Sequence, residues 1–154
     1  MHLRSYTESD ALATLHLFLR AIREQASHDY SAEQIDAWAH DDRDLLEWHQ
    51  TREQANTQVA EIDGHVIGFI DVATNGYIDM LYVDPAHGRT GIASALLNWA
   101  KETAMASGAD RLSTHASITA RQFFKAHEFV TEQECTPTVR GVAMTNYRMT
   151  LALN

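Results

Sequence analysis

The chain has 154 residues, of which 45% are hydrophobic and 21% charged, a composition typical of one globular domain rather than of a disordered chain. Its formal net charge of −9 argues against a nucleic-acid surface, which is usually basic. The longest weakly polar run, residues 91–100, is too short to span a membrane. We therefore expect a single domain over residues 1–154 with no nucleic-acid or membrane partner.

The cysteine and histidine content indicates a reducing compartment and no metal centre. Cys135 is the only cysteine of the sequence and cannot form an internal disulfide. The first residues alternate and lack the apolar core of a signal peptide, so a cytoplasmic location is expected. The nine histidines show no His-x-x-x-His spacing, and with one cysteine no Cys-x-x-Cys pair exists. We predict no metal site.

The first half of the chain contains signals for three helices and three strands. Thr7 and Asp10 predict a helix start, and Ser31 with Gln34 has the spacing of a capping box. Asp63-Gly64 is a strong hairpin signal. The predicted elements are a strand at 2–6, a helix from residue 7 to about 25, a short helix from Ser31, a helix at 45–54, and strands at 57–62 and 65–72.

The second half alternates strands with two helices. Asn75-Gly76 predicts a second turn, and Gly108 predicts the end of a helix. The predicted elements are a strand at 77–83, a helix at 91–107, a strand at 111–115, a helix at 118–127, and strands near 129–135 and 142–151. This order predicts an α+β fold, with a mixed, mostly antiparallel sheet flanked by helices.

The most informative stretch is the loop between the strand ending near Val83 and the next helix. The strand stops at Pro85, and small residues then lead directly into the helix. The first N–H groups of a helix have no intrahelical partner, and glycine lets a ligand approach the backbone closely. A pyrophosphate would fit there. The pattern is neither a Walker loop nor the G-x-G-x-x-G of dinucleotide folds, so a nucleotide-binding protein is the weakest alternative.

This loop resembles the acetyl-CoA loop of the GNAT superfamily of N-acetyltransferases, whose pattern is Gln/Arg-x-x-Gly-x-Gly/Ala. Gly91 and Ala93 match the pattern, and Gly88 replaces its leading residue. Residues 117–129 resemble the family's Asn-x-x-Ala-x-x-Phe-Tyr-x-x-x-Gly-Phe segment, with Ser117, Phe124 and Glu128 as departures. Residues 29–39 and 77–83 further resemble a bacterial YafP-like branch.

The resemblance implies a GNAT-like fold and a direct transfer of acetyl from acetyl-CoA, the co-substrate, to a primary amine in a ternary complex. The amine belongs to a small metabolite or to a protein, and a homodimer is compatible with the resemblance. The positions implied to bind the cofactor are Leu81, Tyr82 and Val83 for pantetheine, the loop Gly88, Arg89, Thr90, Gly91, Ile92, Ala93 and Ser94 for pyrophosphate, and also Ser117, Phe123 and Phe124.

The catalytic groups are less well defined by the sequence. Asp79 lies in an otherwise apolar and aromatic strand where the family often places a base that acts through water; a purely structural aspartate is the alternative. The family's usual acid is a tyrosine at the position of Phe124. Tyr147 is therefore the candidate acid, with His127, His115 and Cys135 as alternatives. A thiol with a pKa of about 8.5 also leaves tolerably without an acid.

Tyr30 and Trp38 are the candidate acceptor-binding residues, since the family's early helices overhang the acyl end of the cofactor. Core packing is the alternative for both. Four acidic residues near them in sequence could steer a cation, or could simply form a solvated face: Asp29, Asp36, Asp41 and Asp42. A rival of another class is a non-catalytic acyl-CoA-binding module, favoured by Gly88, Phe124 and Glu128.

Overall fold

The computed structural model describes residues 1–153, which form five α-helices and ten β-strands. The helices are α1 (Ala11–Glu24), α2 (Ala32–Trp38), α3 (Leu45–Gln54), α4 (Ile92–Ala106) and α5 (Ile118–Ala126). The strands are β1 (His2–Ser5), β2 (Thr57–Ile62), β3 (His65–Asp71), β4 (Tyr77–Ile78), β5 (Leu81–Val83), β6 (Arg111–Ser117), β7 (Val130–Cys135), β8 (Thr138–Val139), β9 (Val142–Ala143) and β10 (Asn146–Ala152). None of these helices is long and apolar enough to cross a membrane.

The strands form two four-stranded sheets and one short hairpin. The first sheet has the order β1-β2-β3-β5 and is antiparallel throughout. The second has the order β4-β6-β10-β7, and its β4–β6 pair is parallel. The hairpin joins β8 to β9. The expected α+β architecture with a mixed, mostly antiparallel arrangement is confirmed.

The prediction of one continuous strand at 77–83 is wrong, because the strand is interrupted at Asp79 and Met80. β4 belongs to the second sheet and β5 to the first. The carboxylate of Asp71 explains the break: its Oδ1 accepts hydrogen bonds from the N–H groups of Asp79 (2.8 Å) and Met80 (3.3 Å). A side chain thus satisfies donors that a regular ladder would use, and the two sheets diverge here.

The predicted strand at 142–151 is also divided, into β9 and β10. Met144 donates its N–H to the Pro137 carbonyl (2.8 Å), which closes the β8–β9 hairpin. The next carbonyl, that of Thr145, accepts a 2.5 Å hydrogen bond from the Tyr30 hydroxyl. These contacts turn residues 144–145 away from the sheet.

Helices cover both faces of the first sheet. Phe69 of β3 packs with Phe18 of α1 and Trp48 of α3 in one core. Its neighbour Ile70 faces the opposite way and packs in the core of α4. Gly68 brings α4 close, since a Cβ there would lie 3.1 Å from Leu96 and 3.2 Å from Ile92. The N-terminus of α4 is therefore seated directly beside β5.

Candidate active site

A cavity of about 1010 Å³ opens where the two sheets diverge. It runs from the N-terminus of α4, past β5 and β6, to a wall formed by α1, α2 and the segment from Cys135 to Asn146. Most of the predicted site residues line it, namely Tyr30, Trp38, Asp79, Leu81, Tyr82, Val83, Gly88, Arg89, Gly91, Ile92, Ala93, Ser94, Ser117, Phe123 and Phe124. Thr90 and Tyr147 are not among the lining residues.

The strand β5 presents a free edge to this cavity. Asp71 donates its N–H to the Met80 carbonyl (3.1 Å) and Asp84 donates to the Ile67 carbonyl (2.8 Å). Ladder bonds alternate along a strand, so the backbone of Tyr82 faces β3, whereas the N–H and C=O groups of Leu81 and Val83 point the other way. Within residues 1–153 no strand pairs with that edge. An extended ligand can hydrogen-bond there as an added strand would.

The loop before α4 forms a cradle of unpaired N–H groups. Arg89 and Gly91 have positive φ values of 61° and 85°, which turn the backbone into the helix. The first bond of this helix is donated by Ala95 to the Gly91 carbonyl (3.0 Å). In the described chain, the N–H groups of residues 89–94 have no protein acceptor. Together with the helix dipole, these donors suit a phosphate group.

Two further features keep the cradle open and fixed. A Cβ built on Gly91 meets no atom within 4 Å, so the space over this residue is free for a ligand. Asp84 accepts a hydrogen bond from the Ala86 N–H (3.0 Å) and is paired with Arg20 of α1, which holds the turn that precedes the loop. Thr90 instead turns its hydroxyl to the His87 carbonyl (2.6 Å). The residues present therefore fit the pyrophosphate of a coenzyme.

Asp79 lies at the divergence of the sheets and faces the cavity. Its side chain is 57% exposed, and its Oδ2 lies 3.9 Å from Nη2 of Arg52. The carboxylate is therefore accessible to a ligand and close to one positive charge. This position suits a proton acceptor for an amine that enters the cavity.

A buried ion pair between Arg52 and Asp71 contacts Asp79, and the sequence analysis did not predict it. Arg52 is 1% exposed, donates from Nη1 to Asp71 Oδ2 (2.9 Å) and lies 5.0 Å from the centroid of the Trp48 ring. Burial raises the pKa of Asp71, and hydrogen bonds from the Asp79 and Met80 N–H groups and the charge of Arg52 act against that rise. No local pattern in the sequence links Arg52 to a position nineteen residues away.

The candidate general acids differ in whether they line the cavity. Phe124 is buried and packs on Phe129 at 5.0 Å, so no hydroxyl stands at the position of the family's tyrosine. Tyr147 lies under the guanidinium of Arg121, which is 4.1 Å from its ring centroid. His127 is bonded through Nε2 to the Ser94 hydroxyl (3.0 Å) and is also absent from the cavity wall. Among the four candidates, only His115 and Cys135 line the cavity.

Tyr30 and Trp38 meet at the far end of the cavity, with ring centroids 5.4 Å apart. The Tyr30 hydroxyl accepts a hydrogen bond from the Ile118 N–H (3.0 Å) and donates one to the Thr145 carbonyl, so both of its hydrogen bonds are made to the protein backbone. Burial raises the pKa of Tyr30. Both aromatic rings line the cavity and also pack in the core, so their packing is compatible with either prediction from the sequence.

The four acidic residues near them do not line the cavity. Asp41 is paired with Arg23 (2.7 Å), Asp42 with Arg140 (2.9 Å), and Asp29 accepts a hydrogen bond from Thr119 (2.8 Å). Asp36 is exposed. The charged residue that does reach this end is Arg43, which sequence reasoning missed. These four acidic residues therefore form a solvated face outside the cavity, which was the alternative prediction from the sequence.

Comparisons with known proteins agree with this geometry. A family model described as acetyltransferase (GNAT) domain matches residues 26–151. The uncharacterized N-acetyltransferase YafP of Escherichia coli strain K12 is 36% identical over 149 residues, which are 97% of this chain and 94% of the relative. The crystal structure of a GCN5-related N-acetyltransferase from Rhodopseudomonas palustris superimposes with a TM-score of 0.95 at 32% identity, covering 99% of this chain and 95% of that one.

A more distant structure adds information on the fold alone. YncA, a putative acetyltransferase of Salmonella typhimurium solved with its cofactor acetyl-CoA, has a TM-score of 0.73 at 19% identity and covers 100% of this chain and 94% of its own. The same arrangement of elements therefore occurs in a protein that holds acetyl-CoA.

Proposed function

Because the chain belongs to the GNAT acetyltransferase family and is an N-acetyltransferase, we propose that it moves the acetyl group of acetyl-CoA directly to a primary amine bound in the same cavity. The observation that carries this proposal is the continuity of the cavity, which joins the cradle at α4, the free edge of β5 and the carboxylate of Asp79. Both substrates have room in one space, so no acetylated enzyme intermediate is needed.

The donor half is assigned to the cradle and to β5. The N–H groups of residues 89–94 would hold the pyrophosphate, with Arg89 adding a charge. The free backbone groups of Leu81 and Val83 would pair with the amide groups of pantetheine. Ser117, Phe123 and Phe124 supply the facing wall. Acetyl-CoA brings an activated thioester to the divergence of the sheets.

Asp79 is assigned to proton removal from the amine, directly or through water. A lysine-like amine with a pKa of 10.4 is free base in only about one molecule in 2,500 at pH 7, so a base increases the reactive fraction. The free amine attacks the thioester carbon, a C–N bond forms, and the C–S bond breaks with the electron pair on sulfur. The attacking nitrogen loses its extra proton to water, which gives the neutral amide. An N–H group on the free edge of β5 can stabilise the charge that develops on the carbonyl oxygen.

The thiolate can leave with the help of a protein acid or without one. Cys135 and His115 line the cavity and are available as donors. A thiol pKa of about 8.5 also permits departure without an acid, at a cost of roughly 10²- to 10⁴-fold in rate. Tyr147, whose ring lies under Arg121 outside the wall, is the less favoured donor. A Tyr147→Phe variant that loses its activity would restore that assignment.

The proposal is tested by measuring thiol release from acetyl-CoA against a panel of primary amines, with product identification by mass spectrometry. Amine-dependent release with stoichiometric N-acetyl product is expected. Calorimetric titration of CoA gives an independent measure of the donor half. Tight CoA binding with no amine-dependent release would instead favour the acyl-CoA-binding module. No CoA binding would refute the assignment of the cradle.

A further inference from the structure

Arg43 stands at the acceptor end of the cavity with donors that the protein does not use. Its Nη2 donates to the Trp38 carbonyl (2.7 Å), and its guanidinium lies 4.7 Å from the centroid of the Phe18 ring. Its Nε is buried and has no partner among the described residues. The residue is partly buried, and this burial lowers the pKa of Arg43. A guanidinium has five N–H donors, and here only one bonds to a protein group within residues 1–153.

No carboxylate of residues 1–153 lies within 4.0 Å of this guanidinium. The two nearest acids along the chain, Asp41 and Asp42, are paired with Arg23 and Arg140 instead. Charged side chains that are even partly removed from water are normally paired, because an unpaired charge is costly to bury. The cavity therefore holds a cation whose partner the protein itself does not supply.

Arg43 and Asp79 bring opposite charges to one chamber. Both line the cavity, and the side chain of Tyr82 lines it with them. The surfaces around them are apolar and come from Phe18, Trp38, Met80 and Met144. The chamber is shaped for a ligand with a positive pole, a negative pole and an apolar body.

Building on the proposed function, we propose that the acceptor amine also carries a carboxylate, which binds Arg43 while the amine faces Asp79. The substrate class is a small amino acid with an apolar or aromatic side chain. A guanidinium matches a carboxylate with two parallel hydrogen bonds. A single positive charge at this end matches a carboxylate better than a dianionic phosphate. The acidic surface of residues 29–42 plays no part in this recognition.

The test uses pairs of acceptors that differ only in the carboxylate: phenylalanine against 2-phenylethylamine, leucine against 3-methylbutylamine, and methionine against 3-(methylthio)propylamine. In the wild type, kcat/KM calculated per free-base amine should be higher by about tenfold or more for the carboxylate-bearing member, since hydrogen bonds to charged groups are strong. Arg43→Gln should remove this preference through a higher acceptor KM and leave the KM of acetyl-CoA unchanged. Arg43→Lys should keep part of it.

Arg23→Gln is the matched control. Arg23 also donates to a backbone carbonyl of the same segment, that of Ala39 (2.7 Å), but does not line the cavity. This variant should keep the preference for the carboxylate. A preference lost equally in Arg23→Gln and Arg43→Gln would assign the effect to the fold of the segment and overturn the proposal.

The outcomes separate this inference from the proposed function. Acetylation of both members of each pair at equal efficiency would overturn the role of Arg43 and leave the N-acetyltransferase assignment intact. If no amine is acetylated, the affinities of the CoA-bound protein for N-acetylphenylalanine and N-acetyl-2-phenylethylamine are compared by calorimetry. Equal affinities, or no binding of either compound, would overturn the inference. An Arg43-dependent preference for O-phosphoethanolamine over ethanolamine, without a carboxylate preference, would replace the carboxylate with a phosphate.

Discussion

Asp71 holds the backbone of Asp79 through a 2.8 Å hydrogen bond from the Asp79 N–H to Oδ1. The other oxygen of Asp71 binds Arg52, whose Nη2 in turn approaches the carboxylate of Asp79. One buried acid thus fixes the main chain of the candidate base and supplies it with a positive neighbour. The same carboxylate binds the backbone between β4 and β5, at the point where the two sheets diverge and the cavity opens.

Replacing Asp71 should therefore destabilise the protein strongly. Asp71→Ala removes the acceptor of two N–H groups and leaves Arg52 buried without its partner, which costs about 3–5 kcal/mol. The free energy of unfolding in urea measures this change. Asp41→Ala, which breaks the exposed pair with Arg23, should leave the urea midpoint nearly unchanged. Equal effects of the two variants would contradict the role given to Asp71.

Gly91→Ala should weaken CoA binding by about tenfold or more, since a Cβ at this position enters the space above the cradle. Gly108→Ala is the control at the other end of the same helix. Gly108 has a φ of 87°, against 85° for Gly91, and a Cβ there likewise meets nothing within 4 Å. Both variants carry a strain of roughly 1–2 kcal/mol, but only the first should change the Kd of CoA in calorimetry. Comparable Kd values in the two would argue against a cradle.

Asp79→Asn should lower kcat/KM in a manner that depends on pH. In the proposed mechanism the carboxylate takes a proton from the amine, and the need for it falls as rising pH deprotonates the amine in solution. The loss should reach about 10²-fold near pH 6 and shrink toward pH 9. Because the side chain is 57% exposed, the melting temperature should change little. A loss that is the same at every pH, together with a lower melting temperature, would assign Asp79 a structural role.

Tyr30→Phe tests whether the hydroxyl of Tyr30 is structural. It should destabilise the protein by about 1–3 kcal/mol, because the Ile118 N–H and the Thr145 carbonyl lose their partner. The KM of acetyl-CoA should not change. Tyr77→Phe removes a hydroxyl that bonds His115 at an exposed site and should have a small effect on urea unfolding. Unchanged stability of Tyr30→Phe with a lost acceptor preference would place this hydroxyl on the substrate.

Local features were predictable from the sequence because their partners are close along the chain. The capping box of α2 is one example: Ser31 and Gln34 exchange hydrogen bonds of 2.9 and 3.2 Å across three residues. The glycine at the start of α4 is another, because only its immediate neighbours decide its φ. The resemblance to a known family then supplied the arrangement of the sheets.

The remaining features depend on contacts between distant parts of the chain. The break at Asp79 needs Asp71, eight positions earlier on another strand. Arg43 lies in a polar stretch that looks like an ordinary loop, and only packing of α1 and α2 brings it to the cavity. Tyr147 has the right chemistry, but its strand places it under Arg121 rather than in the cavity wall.

The two hydrogen bonds of Tyr30 have a consequence for how acceptor preference can diverge among relatives. The end of the cavity proposed for the donor is built from the middle of the chain, whereas the end proposed for the acceptor joins residues 18–43 to residues 135–146. Tyr30 ties these remote segments to each other and to the start of α5. An exchange of one segment between homologues would leave unmatched partners in the other. If this end binds the acceptor as proposed, we expect a change of acceptor to require both segments to be replaced together.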